Sequence, residues 1–149
     1  MEELRQWVER IEQRLERGFT EELTRFGESV LSEVYRQWPR LSWTPFAAST
    51  VRDKRWLGPL IRTGDLIAAA TRKGVPGNVF EVTPFSLEMG VEPKSMENPR
   101  GYPYAYVQFY GTRKTGHIPS RPWFNLAVAD TEPLDEAIHE ALVKAARGE

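Results

Sequence analysis

With 149 residues, 40% of them hydrophobic and 28% charged, the chain has the size of one domain that buries about 70% of its unfolded surface. A formal net charge of −1 gives no global pull toward nucleic acid, and the absence of cysteine excludes disulfides and thiolate metal sites and fits synthesis in a reducing cytosol. No apolar run approaches the ~20 residues of a membrane span, and the acidic opening Met1-Glu2-Glu3 is unlike a signal peptide.

The first element is helical. Leu4, Trp7, Val8, Ile11, Leu15, Phe19, Leu23, Phe26, Val30, Val34 and Trp38 recur every three or four positions with charges between them. Gly18 and Gly27 interrupt the stripe, and Thr20 before Glu21-Glu22 is able to cap a fresh start. The segment is therefore one bent helix or two helices broken near Gly18. Its stripe either meets another subunit in part or lies across the chain's own sheet. Trp38-Pro39 is expected to end it, since a residue before proline is pushed out of the α region. A single domain follows from this pattern, with a helical arm over 1–38 and an α+β body over 39–149.

Residues 39 to 60 read as irregular, punctuated by Pro39, Pro45, Gly58 and Pro59 and anchored by Trp43, Phe46 and Trp56. Thr63 caps a short helix that has Asp65 in its first turn and continues through Leu66 to Ala70. After a turn at Gly74 to Asn78, residues 78–83 and 86–92 alternate in polarity. They form a hairpin with Leu87, Met89 and Val91 toward a core. Residues 93–101 read as a loop. The aromatic run from Tyr102 to Gly111 reads as a short helix opened by Pro103 and closed by Gly111, with a strand as the competitor.

Two prolines bracket Arg121 in Ile118-Pro119-Ser120-Arg121-Pro122-Trp123-Phe124. Residues 118 to 121 are expected to run extended, and Pro122 to open a helix that buries Trp123 with Leu126 or Phe124. Asp130 or Thr131 then caps a terminal helix with Pro133 near its first turn. The stripe of that helix is Leu134, Ala137, Ile138, Ala141, Leu142 and Ala145.

Three spaced signatures stand in order: Leu60-Ile61-Arg62-Thr63-Gly64-Asp65-Leu66, then Tyr104 to Gly111, then Ile118 to Phe124. Together with Trp43-Thr44-Pro45-Phe46 upstream, their order and spacing resemble the phage virion morphogenesis family, the tail-completion and neck proteins of Mu-like and P2-like phages. The resemblance covers residues 30–145. Around the Arg-Pro pair, Ser120 keeps the small residue of the family pattern, whereas Trp123-Phe124 replaces its Phe-Leu. The resemblance implies a small, non-enzymatic α+β structural protein that needs no cofactor. Such a protein assembles in the host cytoplasm, sits at the virion neck and oligomerises there, often as a hexameric ring. Its partners would be tail-tube or terminator and head–tail connector proteins, with DNA passing through unbound and no membrane contact. The motif positions are Leu60, Thr63, Gly64, Leu66, Gly111, Pro119, Arg121, Pro122 and Trp123. The polar stretch with Arg113, Lys114 and His117 is the candidate interface loop, joined to the C-terminal helices by the proline corner. Arg121 would anchor the base of that loop by pairing with a carboxylate or with backbone carbonyls.

Other chemistries find little in the sequence. Thr63-Gly64 lacks the second glycine and the Gly-Lys-Ser/Thr of a phosphate-binding loop. Glu136 and His139 have the Glu-x-x-His spacing of bridged metal sites, but such sites need a second copy and further glutamates, and the chain has only two histidines. No Gly-x-Ser-x-Gly elbow is present, and neither histidine shares a motif with a serine and an acid. The basic clusters Arg52/Lys54/Arg55, Arg72/Lys73 and Arg113/Lys114 read as solvated surface. The alternative function is nucleic-acid binding, with the aromatics of 102–110 as a stacking platform beside Arg113 and Lys114.

Overall fold

The computed structural model describes residues 1–39, 52, 64–92, 104–112 and 120–149. Within them the chain forms an α+β fold of five helices and one antiparallel hairpin. Helix α1 (Glu2–Gln37) is unbroken for 36 residues, a rod of about 54 Å. No proline falls inside it, and Glu2 and Glu3 occupy its first turn, where negative charge is favoured. Pairs such as Arg5 with Glu9 and Glu22 with Arg25 lace its surface.

Gly18 and Gly27 therefore do not divide α1. Gly27 is a place of close approach, whereas Gly18 lies in ordinary contact. A Cβ at Gly27 would stand 2.7 Å from two ring carbons of Phe80, and one at Gly18 would meet the Ala141 Cβ at 3.5 Å. The two glycines lie on opposite sides of the rod, being nine residues apart on a helix of 3.6 residues per turn. One side of α1 thus carries the hairpin and the other carries the C-terminal helix.

Helix α2 (Asp65–Thr71) leads through a turn to strands β1 (Asn78–Thr83) and β2 (Ser86–Val91). Their register places Phe80 opposite Met89, Val82 opposite Leu87 and Asn78 opposite Val91 on the face toward the core. Leu87, Met89 and Val91 are half-buried, as their alternation predicts. The Asn78 Nδ2 amide donates to the Ala69 carbonyl at 2.7 Å and ties β1 to α2. Lys73 fastens the turn to the arm by pairing with Glu28 at 2.6 Å and lying over the Phe80 ring. On the outer face Glu81 stands directly opposite Glu88, a like-charge pair that opposes strand pairing.

Helix α3 (Tyr104–Tyr110) settles the aromatic run as a helix rather than a strand. Helices α4 (Trp123–Asp130) and α5 (Asp135–Arg147) follow the proline corner, and both pack on α1. Thr131 does not cap α5. Its hydroxyl donates back to the Ala127 carbonyl at 2.7 Å and closes α4, while α5 begins after Leu134 without a side-chain cap. Trp38 also departs from expectation. Although it precedes Pro39 it keeps helical dihedrals (φ −51°, ψ −47°), because its ring is fixed in the core 5.4 Å from that of Trp123. That core unites Val30, Val34 and Trp38 of the first helix with Leu66, Ala69, Ala70, Ala105, Trp123 and Ala127.

The two glycines of α1 predict opposite outcomes. Gly18→Ala should raise stability by up to about 1 kcal/mol, since alanine is the better helix former and its methyl meets only ordinary contact. Gly27→Ala should lower it by about 1–3 kcal/mol, because the methyl overlaps the Phe80 ring. Urea unfolding of both variants checks the sign of each.

Candidate functional site

The residues singled out by the sequence fall into three groups. Leu60, Thr63, Pro119, Arg113, Lys114 and His117 lie outside the described residues, as does Pro103. Gly64, Leu66 and Gly111 shape helix ends and core. Ser120, Arg121, Pro122 and Trp123 build a corner that is the most constructed feature of the body.

Gly64 stands at the N-cap of α2 with φ 88°, and its carbonyl accepts the Ala68 N–H at 3.0 Å. A side chain there would strain the backbone, although it would meet no atom within 4 Å. Two residues on, Leu66 is buried in the core. Gly111 ends α3 in the same left-handed region (φ 73°), with its N–H donating to the Val107 carbonyl at 2.7 Å.

The last turn of α3 also receives the proline corner. The Arg121 N–H donates to the carbonyls of both Gln108 and Phe109 at 3.1 Å, and the Ser120 hydroxyl donates to the Phe109 carbonyl at 2.7 Å. These bonds satisfy helix-end carbonyls that have no partner within α3. The Arg121 side chain is 4% exposed, and its Nη1 donates to Gln108 Oε1 at 3.1 Å. Burial lowers the guanidinium pKa from its ordinary value. These contacts differ from the expected pairing of the guanidinium with a carboxylate or backbone carbonyls. Backbone carbonyls receive the Arg121 main chain, and the guanidinium meets a side-chain amide oxygen.

Pro122 is the N-cap of α4 rather than its first residue. At φ −81° and ψ 73° it is the centre of an inverse γ-turn, closed by the Trp123 N–H donating to the Arg121 carbonyl at 2.9 Å. This turn reverses the chain sharply enough to drive Trp123 inward. Its ring lies 5.4 Å from Trp38 and stands edge-on to Phe109 at 5.0 Å. Phe124, not Leu126, accompanies it against the core, and Leu126 is exposed.

Two surfaces lie beyond the corner. The outer side of α3 carries Tyr106 and Tyr110, both exposed, with ring centroids 4.7 Å apart. Tyr104 turns toward the core, and its phenol pKa is raised by burial first and by Asp65 second. The other surface lies on the stripe whose cover the sequence left open between another subunit and the chain's own sheet: Leu4, Trp7 and Val8 stand exposed along the free end of α1. The periodic stripe held the signal, but nothing marked where its intramolecular cover stops.

An open groove of about 300 Å³ runs between α1 and the α4–α5 connection, lined by Phe26, Glu33, Asp130, Leu134 and Ala137 among others. Two of its carboxylates are engaged, Glu33 by Arg36 and Gln37, and Asp130 by Gln37. Among the described residues no three His, Asp or Glu side chains converge on a common point, and no helix is long and apolar enough to cross a membrane. No family model, no curated protein and no solved structure matches the chain.

Removing the corner's anchor should be expensive. Arg121→Ala is expected to lower stability by about 2–4 kcal/mol, because it empties a buried site and leaves Gln108 Oε1 without this donor. Gly64→Val should cost about 1–2 kcal/mol through backbone strain alone, with Gly64→Asn markedly milder. Thermal melts of the three variants test these expectations, and an unchanged Tm in Arg121→Ala would sink the anchoring role.

Proposed function

We propose that the chain is a structural protein of a phage or prophage virion, acting in tail completion or head–tail joining by oligomerising at the neck. The observation that carries this reading is the meeting of its second and third sequence signatures. The Arg121 corner is hydrogen-bonded onto the last turn of the helix that Gly111 ends. The described chain before residue 113 and after residue 119 is thereby tied to one helix end, which supports a role for the polar sequence between them in contact with a partner. The buried Leu66 ties the first signature into the same core as Trp123. A non-catalytic role accords with a body whose most elaborate bonding serves to hold a corner. Partners of the expected kind are further copies of this chain, tail-tube or terminator proteins and connector proteins, with DNA passing without specific binding.

A second reading, binding of single-stranded nucleic acid, draws on the exposed Tyr106–Tyr110 pair, since successive bases stack on such rings.

Co-expression with the tail-tube, terminator and connector proteins of one phage, followed by native mass spectrometry, separates the two. The assembly reading expects a discrete oligomer, alone or on one of those partners. A chain that stays free of all of them and instead binds DNA with a steep salt dependence would replace it by the second reading.

A further inference from the structure

We infer that the free end of α1 is a self-association surface on which a second copy of this chain lies antiparallel. Leu4 and Trp7 are more than half exposed (58% and 53%), and Val8 is 49% exposed. With Ile11 they form one face of the helix, separated by three or four residues. Farther along, that same face carries Gly18 and is covered by α5, whose Ala141 lies against Gly18. The cover stops beside Arg14, where the α5 C-terminus at Gly148 closely approaches the arginine side chain. About 15 Å of apolar face is left beyond it.

A second copy fits this remainder in one direction. In a parallel pair the two α5 helices, which occupy the same face of each α1, would lie between the arms and hold them apart. Antiparallel arms place the two bodies at opposite ends, and each arm then begins where the other copy's α5 stops. In that register Leu4 faces the partner's Ile11, and Trp7 faces the partner's Val8. The flanking charges match as well. Glu3 comes opposite the partner's Arg10 on one side, and Arg5 opposite the partner's Glu12 on the other, each pair occurring twice by symmetry. All these side chains except the half-buried Ile11 are exposed in the single chain. The contact closes on itself at two copies, so a larger ring would use other surfaces, and the inference stands apart from the proposed virion role. Its short overlap belongs to the weak end of protein interfaces, so the dimer should dissociate on dilution.

The absence of native cysteine makes the test direct. Mixed under mild oxidation, copies carrying Leu4→Cys and copies carrying Ile11→Cys should cross-link mainly to one another. Preferential links between like copies, or no links at all, would overturn the antiparallel register. In sedimentation equilibrium the unmodified chain should show a reversible dimer. Val8→Glu should abolish it while leaving Tm within about 2 °C, because Val8 lies outside the core. Arg5→Glu should weaken the dimer about fivefold, and Arg5→Glu with Glu12→Arg should restore it. A chain that is monomeric at every concentration, or a charge reversal that the double variant does not rescue, would sink the proposal whatever the neck partners do.

Discussion

The placement of the Trp123 ring is the constraint on which the body depends. It touches Trp38 at the end of α1, Phe109 in α3 and Phe124 beside it, so three helices share one large side chain. That position is set by the inverse γ-turn at Pro122 and by Arg121, whose backbone is bonded to α3. The tryptophan is only 4% exposed, yet no acceptor among the described residues meets its indole N–H. An unsatisfied buried donor costs on the order of 1–3 kcal/mol. The same burial holds Trp38 in helical dihedrals despite the following proline, a local preference overruled by packing.

Much of the fold is legible in local pattern. The strands declare themselves by alternation, α3 by the proline before it and the glycine after it, and α5 by its three-and-four spacing. The misreadings share a cause. A sequence window leaves α1 open as one helix or two, because it records Gly27 but not the Phe80 ring that requires it, and Gly18 but not its merely ordinary contact with Ala141. Thr131 looks like a cap for α5, whereas its hydroxyl is taken by the preceding helix. In each case the deciding atom comes from elsewhere in the fold or from the opposite chain direction. The corner shows the same limit. Its stiffness is readable from two prolines, but its bonding to Gln108 and Phe109 follows only once α3 is beside it.

Function is less legible than fold, for a physical reason. Catalytic and metal sites need particular side chains at particular distances, and such groupings leave spacing signals. A surface that binds another protein needs only apolar area and matched charge, and both occur on any amphipathic helix. The arm illustrates this. From Leu4 to Val34 its stripe is continuous, but half of it is ordinary core, and the remainder acquires meaning only where α5 ends.

The packing of α5 along α1 also governs how the chain matures. Helix α1 is paired with α5, which is made long after it, and its inner half awaits Ala127 and Trp123 as well. At about 5–20 residues per second, the apolar face of α1 emerges several seconds before these partners. Through that interval a long amphipathic helix stands without its cover. Docking of α5 on α1 is therefore a late step of folding. The charges that lace the outer side of the rod face water throughout.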